Sequence, residues 1–204
     1  MLQEVLKNVF FIKLAKPGCN VYLIKDKNIL IDTSNPLNKK ELVESLVELD
    51  VDYEDLTVIN THCHIDHIGN NGLFKEVVMH KLDAEAYESH SLEAYYFTPP
   101  EFKIKKKLKD GEVIKGLIII HTPGHTKGSI CLLDDKNKVL FSGDTIFANG
   151  IIGRFDLPGG SKEELFKSLK KLAELKLNKF RLLPGHGKLS DDAAQEIKKG
   201  LGRF

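Results

Sequence analysis

Short apolar runs separated by turn-forming residues fill the first third of the chain. Residues 9–12, 20–24 and 28–31 are rich in β-branched and aromatic side chains, and Lys16-Pro17-Gly18 and Lys25-Asp26-Lys27 divide them. That alternation predicts three strands. Asn38 with Glu41 three residues on has the form of a capping box, and Leu42, Val43, Leu46, Val47 and Leu49 then recur at helical spacing. A fourth apolar run, 56–60, leads straight into Thr61-His62-Cys63-His64-Ile65-Asp66-His67.

The last third repeats the theme. Residues 117–120 lead to His121-Thr122-Pro123-Gly124-His125, and 138–142 lead to Gly143-Asp144-Thr145. Ser161 and Glu164 form a second capping box ahead of a stripe of Leu165, Phe166, Leu169, Leu172 and Ala173. Residues 179–183 run into Pro184-Gly185-His186-Gly187. A closing helix is expected from near Ser190, with Asp191 and Asp192 at its positive end and Lys198 and Lys199 at its negative end. Both halves run strands first and helix after, which suggests a duplicated architecture. No linker or low-complexity stretch interrupts them, so a single domain over 1–204 is expected. The segment 84–108 shows little periodicity and reads as a substrate-binding lid, with a partly helical cover over the core as the competing account.

Composition narrows the function classes. The chain has 204 residues, 42% hydrophobic and 29% charged, which is ordinary globular composition. Thirty Lys+Arg against 29 Asp+Glu give a net charge of +1, which offers no electrostatic case for nucleic acid or an acidic membrane surface. The expected partner is a small-molecule substrate, with the chain a monomer or homodimer. Three cysteines cannot all pair, which favours a reducing compartment, and no run reaches the roughly 18 apolar residues of a membrane span. The first residues lack signal-peptide character, and a cytoplasmic location is expected.

The chemistry-bearing residues follow a rule of placement. Five of the eight histidines and two aspartates fall at or just beyond the C-terminal end of an apolar run: His62, His64, Asp66 and His67, then His125, Asp144 and His186. Strand-end loops bring side chains from distant sequence to one point. Imidazole and carboxylate suit zinc, manganese or iron(II), and the near absence of cysteine there argues against a sulfur-rich site. A cluster of the form H-x-H-x-D-H arises by chance in such a chain with a probability of roughly one in a thousand, so a mere surface cluster is the poorer reading. Off an extended segment His62 and His64 point one way and Asp66-His67 can turn to a neighbouring point, which serves two metals better than one.

These four motifs, with Ile29-Leu30-Ile31-Asp32-Thr33 ahead of them, resemble the metal-binding motifs of the metallo-β-lactamase superfamily in order and separation. The resemblance implies an α/β fold, a four-layer αβ/βα sandwich with the site at one edge between two sheets. It implies a metal-dependent hydrolase with two divalent ions per chain, zinc first and iron or manganese as alternatives. Metal site one would be His62, His64 and His125; site two would be Asp66, His67 and His186, with Asp144 bridging. A hydroxide shared by the ions would attack an acyl carbonyl, and Asp66 would orient it as the catalytic carboxylate.

Within the superfamily, His64 stands where the flavodiiron pattern has glutamate, and His67 where the lactam-cleaving members most like the superfamily's namesake have arginine. The loop from Ile152 to Gly160 is similar to that of the short glyoxalase II-like thioesterases, so cleavage of a small S-acyl thiol is the favoured reaction. The alternatives are a persulfide dioxygenase with one iron, or a promiscuous lactonase, phosphodiesterase or β-lactamase. Full-length glyoxalase II carries a further helical domain that helps hold glutathione, which leaves glutathione open as the thiol part. Tyr95, Tyr96 and Arg154 are candidate substrate-binding residues, although for Arg154 an ion pair with Asp156 that shapes the loop is the favoured role. The resemblance also suggests that Asp32 orients the ligand loop. Cys63, between two ligands, reads as packing, and His121 as a core histidine or one that braces a ligand.

Overall fold

The computed structural model describes residues 1–91 and 100–204. The chain divides into two compact units, one of Met1–Met79 with Ala84–Lys107 and one of His80–Asp83 with Leu108–Phe204.

The first unit is built on a mixed sheet of seven strands lying in chain order: β1 (Leu2–Leu6), β2 (Val9–Lys13), β3 (Asn20–Ile24), β4 (Ile29–Ile31), β5 (Thr57–Ile59), β6 (Glu76–His80) and β7 (Ile104–Leu108). Pairing is antiparallel from β1 to β4 and parallel across β4, β5 and β6. Every residue of β3, β4 and β5 is buried, as strands covered on both faces require. Helix α1 (Lys39–Glu48) buries Leu42 and Leu46 among Leu23, Leu30, Val58 and Val77. One turn of helix, α2 (Ile65–Ile68), follows β5, and α3 (Lys81–Glu88) follows β6.

The capping box at α1 does not form. Asn38 makes no capping hydrogen bond. Its side chain accepts from Ser34 Oγ at 3.0 Å and donates to the Ala15 carbonyl at 3.0 Å, while Glu41 accepts from the Ala15 N–H at 2.9 Å. Both side chains have buried or tertiary partners on another turn, and those outcompete the local bond.

The second unit carries five strands: β8 (Val113–Ile114), β9 (Leu117–His121), β10 (Ile130–Asp134), β11 (Val139–Gly143) and β12 (Arg181–Pro184), in the order β12-β11-β10-β9-β8. All neighbours are antiparallel except β11 and β12. Because β9 and β11 both oppose β10, they run the same way, and β12 runs with them. Their C-terminal ends therefore lie at one edge of this sheet. Helix α4 (Lys162–Glu174) is capped as its sequence predicts, Ser161 Oγ accepting from the Glu164 N–H at 3.3 Å. Its Leu165, Leu169 and Leu172 are buried, and the last two pack with Cys131, Leu140, Leu182 and, on α5 (Ala193–Leu201), Ile197. Truncating Leu169 to alanine in such a core costs about 2–5 kcal/mol. Among the described residues no helix is long and apolar enough to cross a membrane.

Candidate metal centre

Each unit carries its own cluster of candidate ligands. In the first unit they leave the end of β5. His62 and His67 are buried and His64 and Asp66 partly so. The rings of His62 and His67 lie 3.9 Å apart between centroids, and those of His62 and His64 lie 4.8 Å apart, edge to face. Asp66 Oδ2 is 3.9 Å from His67 Nε2.

What holds these rings is a buried carboxylate. Asp32, 1% exposed at the end of β4, accepts from the Thr61 N–H, from Thr61 Oγ1 and from His67 Nδ1, each at 2.8 Å. With its proton given to Asp32, Thr61 Oγ1 is an acceptor toward His62 Nδ1 at 3.1 Å. Both Nδ1 atoms are thereby the protonated ones, and Nε2 of each ring keeps the lone pair a metal needs. The backbone is tied down as firmly. Thr33 Oγ1 and Asn60 Nδ2 donate to the His67 carbonyl, Asn71 Nδ2 donates to Asn60 Oδ1, and Asn70 Nδ2 donates to the Thr33 carbonyl. Sequence reasoning passed over Asn60, Asn70 and Asn71. The signal was available: Asn60 directly precedes the histidine motif, and Asn70-Asn71 follow it after two residues. Cys19 was also missed; its sulfur lies within 4.8 Å of ligand atoms of Asp32 and His67. Burial pushes that thiol up to about 12, so it stays protonated there.

In the second unit the ligands leave three strands that end together. Gly143 pairs with Pro184, and the Gly185 N–H donates to the Gly143 carbonyl at 2.8 Å, which sets Asp144 and His186 side by side. His125 arrives from the turn after β9. Asp144 Oδ2 then lies 3.6 Å from His125 Nε2 and 3.4 Å from His186 Nε2. Those separations exceed the roughly 2.7–3.2 Å of a hydrogen bond. They match two donors each about 2.0–2.2 Å from one tetrahedral ion, which stand about 3.4 Å apart. His125 Nδ1 donates to the Arg154 carbonyl at 2.7 Å, so its Nε2 also keeps a lone pair. The donor set, imidazole nitrogens and carboxylate oxygens throughout, fits divalent zinc, iron or manganese.

The Arg154 carbonyl reaches His125 because residue 153 is glycine. A Cβ at Gly153 would lie 1.8 Å from the Asp144 carbonyl oxygen and 3.5 Å from His125 Cβ. The Arg154 guanidinium turns to solvent, where Nε and Nη2 grip Asp156 at 2.9 and 2.7 Å and hold its carboxyl down at about 2.

Residues 15–186 match the metallo-beta-lactamase superfamily. The chain belongs to that superfamily. The probable metallo-hydrolase MJ0888 of Methanocaldococcus jannaschii is 37% identical over 199 residues, 88% of this chain and 93% of its own. Hydroxyacylglutathione hydrolase GloC of Haemophilus influenzae is 30% identical over 186 residues, 83% and 85% of the two chains. The crystal structure of TTHA1623 in a di-iron-bound form matches with a TM-score of 0.75 at 28% identity, covering 95% of this chain and 96% of that one. Superfamily membership and a di-iron neighbour point to divalent metals, and the α/β metallo-β-lactamase fold is shared.

The other candidates fall in varied places. Tyr95 and Tyr96 lie outside the described residues. The expectation of an irregular segment over 84–108 is corrected at both ends: residues 84–88 belong to α3, and 104–108 form β7. The buried residues of that helix are Asp83, Ala84 and Ala86, one charged and two with small side chains, so no apolar stripe stands out in the sequence. Cys63 is buried in the core of the first unit. His121 stacks on buried His80 with centroids 4.0 Å apart, and burial with that neighbour lowers His80 to about 4.

Proposed function

We propose that this metallo-hydrolase cleaves small S-acyl thiols, as a glyoxalase II-like member of the superfamily. In this reading His62, His64, His125, Asp66, His67 and His186, with Asp144 shared, hold two divalent ions, zinc first among them. The observation that carries it is Asp144, whose one carboxylate oxygen stands at ligand-pair distance from two histidine nitrogens while the main chain takes up His125 Nδ1. When bound, the ions supply a water acidified toward neutral pH and an electrophile for the acyl oxygen.

The chain's own residues do the rest. Asp32 and Thr61 fix the rings of His67 and His62 in the ligand tautomer. Asp66 has a partly exposed side chain with Oδ2 near His67 Nε2. It orients the attacking water and takes a share of its proton. A dedicated lactam-cleaving role is disfavoured because His67 replaces the arginine of the lactam-cleaving members most like the superfamily's namesake. A thioester is favoured over other acyl substrates because Gly153-Arg154-Phe155-Asp156 is similar to the thioesterase loop. The hydroxyacylglutathione hydrolase relative supports the same choice.

The test is metal analysis of metal-replete protein together with an assay panel of S-acyl thiols, lactones and phosphodiesters. Two ions per chain are expected, with kcat/KM on the best thioester at least tenfold above the best lactone or phosphodiester. Fewer than one ion per chain, a reversed preference, or thiol-dependent oxygen uptake by iron-loaded protein would overturn the reading.

A further inference from the structure

The second unit contains an open pocket of about 420 Å³ beside His186, within the range of small-molecule sites. Phe147, Ala148 and Ile151 line one side of it, and His186 with Lys188 the other. Its surface is mostly apolar, with Asn149, the imidazole and the ammonium as the polar side chains among its lining residues. Ile151 stands 50% exposed there, one of few large apolar side chains so placed among the described residues. The Phe147 and His186 ring centroids lie 6.2 Å apart, with the ring planes tilted by 55°.

The wall carrying Phe147 and Ile151 is fixed in place. The Phe147 N–H donates to the Ile151 carbonyl at 2.7 Å and closes the loop. Gly150, at φ +65°, packs so tightly on α5 that a Cβ would lie 2.3 Å from Lys199 Cβ. Its N–H donates to the buried carboxylate of Glu196 at 2.8 Å, and Arg203 Nη2 donates to the Asn149 carbonyl at 3.0 Å. A preformed wall loses little freedom when a ligand arrives. Lys188 is exposed and, among the described residues, no carboxylate pairs with it.

We propose that this pocket is a substrate subsite for an apolar group that carries an anionic end, the chain packing on Phe147 and Ile151 and the anion pairing with Lys188. The proposal rests on the thioesterase reading and narrows it: the substrate is a thioester with a carboxylate or similar anion on its acyl or its thiol side.

Two measurements on the metal-replete protein test it. The first compares kcat/KM for three matched six-carbon thioesters: a neutral one, one with a carboxylate ending the acyl chain, and one with the carboxylate ending the thiol chain. One carboxylated ester should exceed the neutral one at least fivefold through KM, and K188Q should lower kcat/KM for it at least fivefold more than for the neutral ester. Which of the two it is identifies the side of the substrate. The second follows the Ile151 methyl resonances as hexanoate is added. Hexanoate should shift them, with an affinity that K188Q weakens at least fivefold and I151D abolishes.

No carboxylate preference, or K188Q acting equally on all three esters, would refute the subsite. So would hexanoate binding that leaves Ile151 unmoved or that ignores K188Q. If the wild-type protein hydrolyses none of the three esters, the thioesterase reading fails, and the hexanoate titration alone then decides whether the pocket takes an anionic apolar group.

Discussion

In the first unit the candidate ligands are held by side chains, and in the second they are held by the main chain. Asp32 and Thr61 orient His67 and His62, with Asn60, Asn70 and Asn71 bracing the backbone behind them. His125 instead leans on the carbonyl of residue 154, and Asp144 and His186 are set by the pairing of two parallel strand ends. The two designs fail differently. A side-chain anchor is lost by one substitution, whereas a carbonyl survives every substitution at its own position and is lost only when the chain moves.

The largest effect is expected where neither kind of anchor can compensate. Asp144→Asn keeps the shape and removes the charge between two imidazoles. Bound metal in replete protein should fall below that of any other single variant. Activity on the best substrate should drop beyond the roughly 10- to 100-fold that losing an outer partner costs. Elemental analysis beside kinetics checks both, and full metal content in this variant would remove Asp144 from the ligand set.

Asp32→Ala probes the side-chain design. It strands the Thr61 N–H and frees two rings to rotate, so metal affinity should weaken about 10- to 100-fold. Stability should fall by about 1–3 kcal/mol for the donors left buried without an acceptor. Metal titration and denaturant unfolding separate the two effects. Unchanged metal affinity would mean that His62 and His67 keep their orientation without the carboxylate.

How much of this was legible in the sequence follows the same division. Strands such as Asn20–Ile24 and helix α4 were readable because a β-branched, aromatic apolar run and a Ser-x-x-Glu cap ahead of a helical stripe are local signals. The strand-end histidines were readable because metal ligands cluster in motifs. Asp32 came through resemblance, while its asparagine support did not, since an asparagine beside a motif looks like a turn residue until its tertiary partners are known. The Asn38–Glu41 box misled for that reason too: its spacing is local, and its partner at Ala15 is not. Nothing in the sequence distinguishes the Arg154 carbonyl from its guanidinium, because every residue carries a carbonyl and only the side chain sets arginine apart. The apolar pocket beside His186 is assembled from two separate loops, and no window of sequence contains it.

Gly153→Ala probes the main-chain design. With a Cβ aimed at the Asp144 carbonyl, the loop must shift or the strand end must give. Overpacking of this kind costs about 1–3 kcal/mol. The shift carries the Arg154 carbonyl away from His125 Nδ1, so metal affinity should weaken together with stability. A normal denaturation midpoint with wild-type metal affinity would show that the loop can move without disturbing His125.

The smallest effect is expected from Arg154→Ala, which removes an exposed side chain and leaves the carbonyl in place. The Arg154–Asp156 pair is solvent-facing, where ion pairs contribute little and are screened by salt. Its pH signature is nevertheless clear. The guanidinium holds the Asp156 carboxyl at about 2, below the roughly 3.9 of an unfolded aspartate, so the pair's contribution is complete above that unfolded value and is lost as pH falls through about 2. In the variant the Asp156 titration should move up toward 3.9, read from its carboxyl carbon resonance, while metal affinity falls by less than the tenfold lower bound set for Asp32→Ala. If Arg154→Ala loses metal as severely as Asp32→Ala, the guanidinium is what positions His125, and both clusters are then held by side chains.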